Sequence, residues 1–396
     1  MITEIKNGRI ISDGGIISGK SLYIENDRIL AVASDALRAD EVIDAEGSYI
    51  SAGFIDIHTH GAGGYDFTDG TVEDILAAAL AHARHGTTTV YPTSPSVSHA
   101  ELMAFVKNTA LAMSKNRDGK PYIAGAHLEG PYFCLKQCGA QDPRYIKAPV
   151  PEEYREAVEY GDGVVRRISF APELKGSAEL CDYLTERGIV AAFGHTDGIY
   201  EELKPIIDRG CRLATHLYSG MNTVTRRNLF RKLGAVETAF LEDSVTVEVI
   251  ADGIHLPKEL LRLIYKIKGA EKICLVTDSM RGAGEPEGNS VLGPMSNGTP
   301  CTIKDGIAFL PDMSAFAGSV ATADRLVRVM YKEVGVSLVE AIKMITETPA
   351  RVMGLSDRGR LAEGYIADVV IFDDDINIKK VIARGKELIM EQNKEK

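Results

Sequence analysis

Eight short apolar, β-branched runs recur through the middle of the chain with helix-like stretches between most of them. This alternation restricts the fold more than any other feature. The runs are Phe54–His58, Thr87–Pro92, Tyr122–Leu128, Val165–Ala171, Ile189–His195, Arg212–His216, Val245–Ile250 and Ile273–Asp278. Thr71-Val72-Glu73-Asp74 opens one helix in a capping-box arrangement, and Gly86 closes it just before Thr87-Thr88-Thr89-Val90. Ser177–Arg187, Tyr200–Asp208 and Lys258–Lys268 show the 3.6-residue apolar spacing of further helices. Ser319–Val334 and Ser337–Gly354 predict two more after the last strand. Eight strands alternating with helices is the count of a closed parallel (β/α)8 barrel. An open doubly wound sheet is the rival, but no Gly-x-Gly-x-x-Gly follows the first strand.

The ends of the chain read differently. Ser21–Ile24 and Arg28–Ala33 flank a turn at Glu25-Asn26-Asp27, and Glu41–Asp44 precedes Glu46–Ile50. The same style returns at Ala367–Phe372 and Lys380–Ile389. One small β-sandwich domain assembled from both termini is therefore expected, over 1–52 plus 356–396, with the barrel over 53–355.

The chain has 396 residues, 45% hydrophobic, which suffices for a large core, and its formal net charge of -11 argues against nucleic-acid or anionic-membrane surfaces. No basic-then-apolar leader and no membrane-length apolar run is visible, so a soluble, cytoplasmic protein is expected. Six scattered cysteines form no disulfide framework. Cys134 and Cys138 could suit a metal, but no second pair stands at zinc-finger spacing.

The ends of the strands carry the reactive residues. They read Asp56-Ile57-His58-Thr59-His60, His127-Leu128-Glu129, Gly194-His195, Thr215-His216, Asp252-Gly253-Ile254-His255 and Thr277-Asp278. Six of the nine histidines thus fall at or just past strand ends, and a barrel gathers those ends around one opening. Imidazole and carboxylate suit zinc, iron or manganese, and His58 and His60, two apart on a strand, face the same side. A single strand-end histidine is more often structural; six converging with acids favour a metal centre. His82, His85 and His99 read as solvated or packing residues.

These motifs, with Thr348-Pro349-Ala350-Arg351-Val352-Met353-Gly354 and Gly364-Tyr365-Ile366-Ala367-Asp368 near the end, resemble the amidohydrolase superfamily. Within it, their order is similar to the N-acetylglucosamine-6-phosphate deacetylases over nearly the whole chain. The resemblance implies a (β/α)8 barrel with a small β domain and hydrolysis of a linear amide in amino-sugar metabolism. It implies Glu129, His195 and His216 as ligands of a principal divalent metal, zinc first, with iron, manganese or cobalt as alternatives. His58 and His60 would add a second ion bridged by Glu129, in the role a carboxylated lysine plays elsewhere; the fourth strand carries no lysine.

An amide is a poor electrophile with a poor leaving group, so the reaction needs an activated water, a polarised carbonyl and amine protonation. The resemblance gives Asp278 as general base and later acid, with metal ligation as its other reading, and His255 as carbonyl polariser and substrate contact. Arg227 is implied as a phosphate ligand reaching a neighbouring subunit, hence a homodimer, against a solvated basic turn with Arg226, Arg231 and Lys232. Ser219-Gly220, where relatives usually read Asn-Ala, would hold phosphate through backbone N–H groups, which leaves the galacto epimer open. Ala140 and Gln141, where relatives often carry histidine for the glutamine, resemble a sugar-contacting segment, and Phe316-Ala317-Gly318 a turn near substrate. A cyclic amidase and a non-catalytic sugar-phosphate sensor are the other readings.

Overall fold

The computed structural model describes residues 1–35, 37–116, 119–160 and 163–388, so Ile389 and the last residues of the expected 356–396 segment lie outside the described residues. The barrel strands are β1 (Phe54–Thr59), β2 (Thr87–Ser94), β3 (Ala126–Glu129), β4 (Val165–Phe170), β5 (Val190–Phe193), β6 (Leu213–Ala214), β7 (Thr246–Val249) and β8 (Ile273–Leu275). Neighbours pair in parallel from β1 through β8 in chain order. Just past β8, Asp278 N–H donates to the His58 carbonyl at 2.9 Å and His60 N–H to the Ser279 carbonyl at 2.8 Å. The ring thus closes at the end where the strand-end residues gather, as the alternation of runs leads one to expect.

Continuous burial explains why these strands read as apolar runs rather than as alternating ones: each face of a parallel barrel is covered, outside by helices and inside by itself. Every residue of β1, β2 and β3 is buried. Helix α1 (Val72–Ala83) begins where the Thr71 hydroxyl accepts the Asp74 N–H, and α2 (His99–Lys115) begins at a reciprocal Ser98–Glu101 capping box. The third expected run is broken: Tyr122–Ile123 and Ala126–Glu129 are separate strands around Gly125, whose φ is 146°.

Two sheets pack at the chain ends. One joins Ile2–Lys6, Ser21–Glu25, Arg28–Ala33 and Glu41–Asp44; the other joins Arg9–Ser12, Gly15–Ile17 and Tyr49–Ala52 to Val369–Phe372, Ile378–Ala383 and Lys386–Glu387. Ile5, Leu22 and Ile24 from the first meet Ile10, Ile50, Val369 and Ile371 from the second in one core, as a sandwich requires.

After β8 the chain departs from expectation. A three-stranded sheet of Gly288–Leu292, Thr299–Lys304 and Ile307–Phe309 intervenes, with its own small core around Met280, Leu292, Cys301 and Ile303. The helix expected from Ser319 starts only at Ala323. Ser319 is held at the barrel mouth, its N–H on the Asp278 carbonyl at 2.8 Å and its hydroxyl on the Thr277 carbonyl at 2.6 Å. The Ser337–Gly354 helix splits into Leu338–Ile345 and Glu347–Val352, because the Pro349 ring excludes the carbonyl of Ile345 from an unbroken helix. Among the described residues, no helix is long and apolar enough to cross a membrane.

Candidate metal centre and active site

The strand ends do converge. His195, His216 and Asp278 leave β5, β6 and β8 with left-handed backbones, φ 45°, 28° and 46°, which turn their side chains into the barrel mouth. Such conformations cost on the order of 1–3 kcal/mol each outside glycine, so their occurrence at three strand ends marks a place where side-chain position matters more than local stability.

Glu129 lies at the centre. Its Oε1 is 3.1 Å from His195 Nε2 and 2.8 Å from His216 Nε2; its Oε2 is 3.2 Å from His60 Nε2. His60 Nε2 is also 3.3 Å from Asp278 Oδ1, and His58 Nε2 stands 3.6 Å from both Glu129 Oε1 and Asp278 Oδ1. Among the described residues, the groups whose ligand atoms could share one ion all draw on this cluster: Glu129 with His195 and His216, His58 with His60 and Glu129, and His58 with His216 and Asp278.

The hydrogen bonds behind the rings decide what the cluster demands. His58 Nδ1 faces the Glu248 carboxylate at 3.2 Å, His60 Nδ1 the Thr93 carbonyl at 3.2 Å and His195 Nδ1 the Gln137 carbonyl at 2.8 Å. Those oxygens can only accept, so each Nδ1 donates and each neutral ring presents an Nε2 lone pair to the centre. There those lone pairs meet carboxylates, His195 Nε2 lies 3.1 Å from Nε2 of His216, whose Nδ1 has no partner, and buried His58 Nε2 has no hydrogen-bond partner. Acceptors facing acceptors in a buried site require positive charge between them. At His58 and His60, whose Nδ1 atoms already donate, protons supply it only by charging the rings. Burial opposes that charge, but Asp278 and Glu129 outweigh burial, pushing His58 up to about 9 and holding His60 well above its ordinary value. Burial likewise opposes charge on Glu129 and Asp278, yet His58 and the other rings keep both carboxyls below their usual range. A divalent cation fits the same demand with neutral ligands.

The cluster opens on a cavity of about 220 Å³ lined by His60, Glu129, His195, His216 and Asp278, and by the expected substrate residues Ala140, Gln141, Ser219, Gly220 and His255. His255 Nδ1 donates to Asp252 Oδ2 at 2.8 Å, and its ring packs on Phe316 with centroids 4.4 Å apart. A Cβ on Gly220 would stand 2.6 Å from His195 Nδ1, so glycine there lets the loop approach a candidate ligand ring. Ser219 N–H is already given to the His216 carbonyl at 3.0 Å, which leaves Gly220 as the backbone donor of that pair.

Arg227 is not brought to this cavity within its own chain. It lies on the exposed hairpin of Thr225–Arg227 and Phe230–Lys232, bonded to the Asp197 carbonyl at 3.1 Å and Glu202 at 3.4 Å. Leu229 and Phe230 at the hairpin tip are 93% and 73% exposed, a sign that this arm extends away from the barrel. Of the histidines set aside, His82 bonds the Thr59 hydroxyl, His85 Asp324 and His99 Glu156, all outside the cluster. His127 sits edge-on behind His58, between the hydroxyls of Thr93 and Ser169. All six cysteines are free, and none joins the ion-holding groups.

Sequence reasoning missed the support beneath. Arg167 and Glu248 are both fully buried and paired, with Arg167 also donating to the Ile57 carbonyl at 3.2 Å and Thr215 Oγ1 at 3.0 Å. A lone carboxylate among the β-branched residues of the strand Thr246–Val249 was the available signal.

Comparison with known proteins places this geometry. The model of the amidohydrolase family matches residues 49–388. The chain belongs to the amidohydrolase family. It is 30% identical over 364 residues to an N-acetylglucosamine-6-phosphate deacetylase of Vibrio furnissii, covering 91% of this chain and 88% of that protein. It is also 30% identical to an N-acetylgalactosamine-6-phosphate deacetylase of a Shewanella species, covering 85% and 82%. A mutant N-acetyl-D-glucosamine-6-phosphate deacetylase of Mycobacterium smegmatis, solved in complex with N-acetyl-D-glucosamine-6-phosphate, superposes with a TM-score of 0.89 at 29% identity, covering 98% and 99%. Amidohydrolases are metal-dependent, and in this amidohydrolase the buried histidine and carboxylate cluster is where the residues meet that need.

Proposed function

We propose that this amidohydrolase hydrolyses the acetamide of N-acetylglucosamine 6-phosphate to glucosamine 6-phosphate and acetate. The observation that carries the reading is the acceptor-rich cluster of Glu129, His195 and His216 opening on one cavity beside Asp278. The similar enzymes of Vibrio and Mycobacterium, named for that reaction, supply the substrate class. The catalytic unit is read as residues 53–355, with 1–52 and 356–396 as its accessory β domain.

Glu129, His195 and His216 would hold the principal ion, zinc by ligand type, and His58 and His60 a second one bridged by Glu129. A bound ion of this kind supplies Lewis acidity toward the amide carbonyl and the attacking water. Asp278 takes the proton of that water and returns it to the departing nitrogen. His255, oriented through Nδ1 by Asp252, presents Nε2 to the carbonyl; donation from Nε2 requires the doubly protonated ring, whose charge then lies against the Asp252 carboxylate. Gly220, Ser219, Ala140 and Gln141 border the sugar. Arg227, outside its own cavity on an exposed arm, fits a phosphate ligand given to a second copy in a homodimer. Free cysteines throughout suit a reducing, cytoplasmic setting.

The galacto epimer is the second reading, left open by Ser219-Gly220 and favoured by the equal 30% identity to the Shewanella enzyme. Metal analysis with an acetate-release assay on both 6-phosphates and on unphosphorylated N-acetylglucosamine tests both. Faster release from the gluco phosphate is expected. Faster release from the galacto phosphate would transfer the assignment, and none from either phosphate would reject it.

A further inference from the structure

The segment carrying Ala140 and Gln141 reads as a sugar contact, yet the Gln141 side chain is occupied inside the protein. Its Oε1 accepts the Ser96 N–H at 2.6 Å, and its Nε2 donates to Glu129 Oε2 at 2.6 Å. The orientation is forced: a backbone N–H only donates, so the amide oxygen must face Ser96 and the amide nitrogen must face Glu129. The Gln141 backbone is tied as well, its N–H on the Cys138 carbonyl at 3.0 Å. Gln141 is 6% exposed and Glu129 1%, so water does not compete for this contact.

The contact falls on one particular oxygen. Glu129 Oε1 faces His195 and His216, while Oε2 faces His60 and receives Gln141. A carboxylate among such ligands has two arrangements. It can give one oxygen to each of two ions, or turn and give both to the ion between His195 and His216. Turning would carry Oε2 away from Gln141, break a charge-assisted hydrogen bond between buried groups and strand the amide donor. We propose that Gln141 is a positioning residue that keeps Glu129 in the bridging arrangement and so sustains a second metal site at His58 and His60. The proposal rests on the two-ion reading above. It gives Gln141 a task distinct from touching sugar, and one that its hydrogen-bond polarity can perform only with its oxygen anchored by Ser96.

The test is equilibrium dialysis of the metal-free full chain and its Gln141→Leu variant against Zn²⁺, with electron paramagnetic resonance of the Mn²⁺-loaded forms. The unaltered protein should bind two ions per chain and give an exchange-coupled Mn²⁺ signal. In Gln141→Leu the tighter site should be retained, the second should weaken about 10- to 100-fold, the range for lost support behind a metal ligand, and the coupled signal should collapse to that of isolated ions. Gln141→Met, of similar length, provides the same reading if the leucine variant does not fold. Two unchanged sites, equal weakening of both, or a persisting coupled signal would overturn the assignment. A single ion in the unaltered protein would overturn it through its premise; acetate release by that one-ion form would leave the deacetylase reading intact.

Discussion

Two groups of buried charge meet at His58, and they differ in balance. Arg167 and Glu248 neutralise each other, and the remaining Nη donors of Arg167 go to the Ile57 carbonyl and to Ser169 and Thr215. Neither residue lines the cavity. Glu129 and Asp278, by contrast, face imidazole lone pairs with no fixed cation among them, and they open on the cavity. Full burial and ionic chemistry are common to both groups. The difference teaches that a buried cluster balanced from within is scaffold, whereas one left short of positive charge and facing a cavity is built for something that arrives.

The sharpest way to break this contrast is at the reactive end. Asp278→Asn should lower turnover by about 10²- to 10⁴-fold, the usual span for a lost general base, while zinc content stays the same. Unchanged turnover would remove Asp278 from the proton transfers. At the scaffold end, Glu248→Gln leaves the Arg167 charge buried without its partner and should destabilise the fold by about 3–5 kcal/mol in chemical denaturation. The paired change Arg167→Met with Glu248→Gln removes both charges while the amide oxygen can still accept from His58 and His216, and should recover most of that loss. If the double variant is as unstable as the single, the pair is not self-balanced.

Smaller effects sharpen the picture. Arg227, charged but exposed and outside both clusters, should act on phosphate alone. Arg227→Ala is expected to raise KM for the phosphorylated sugar about 10- to 100-fold, as charged hydrogen bonds of about 1.5–3 kcal/mol imply, with no change for the unphosphorylated one. Equal shifts for both would reject a phosphate role.

The mildest contrast is in pH. The carboxylates raise His58 from 6.5 to about 9, so its contribution to metal-free stability is complete below 6.5 and lost as pH rises through about 9. Burial pushes Glu248 up, but Arg167 and His58 outweigh it and hold it at about 2, so its contribution is complete above 4.5 and lost as pH falls toward 2. Melting curves should therefore show both an alkaline and an acid decline without metal. Saturating zinc should remove the alkaline one, because the ion replaces the proton, and leave the acid one in place, because Arg167 still pairs with Glu248. An alkaline decline identical with and without zinc would contradict the charge demand described at the mouth.

Much of this was legible in the sequence because parallel strands are buried on both faces and announce themselves as apolar runs, and because a barrel brings all their ends to one rim. On that basis His58, His60, Glu129, His195, His216 and Asp278 stand out together with Asp56, His127, Asp252 and His255, and the resemblance to the deacetylases separates the ligands and the base from the rest. Other features had no local signature. Arg167 follows Arg166 in its strand, and nothing in the sequence tells the buried arginine from the exposed one. Gln141 reads as part of a sugar-contacting segment, and its partners Ser96 and Glu129 are brought to it only by the fold. The sheet between Gly288 and Phe309, which supplies Leu292 to the cavity, lacks the periodicity of the barrel and was not foreseen. The left-handed backbones of His195, His216 and Asp278 are set by tertiary closure, not by residue preference.

Anomalous diffraction from crystals of the zinc-loaded protein measures the charge demand most directly. Glu129 Oε1, His195 Nε2 and His216 Nε2 already lie within 3.1 Å of one another. A zinc peak between those three atoms is the expected result. Zinc bound elsewhere, at Cys134 and Cys138 for example, with nothing between His195, His216 and Glu129, would contradict it.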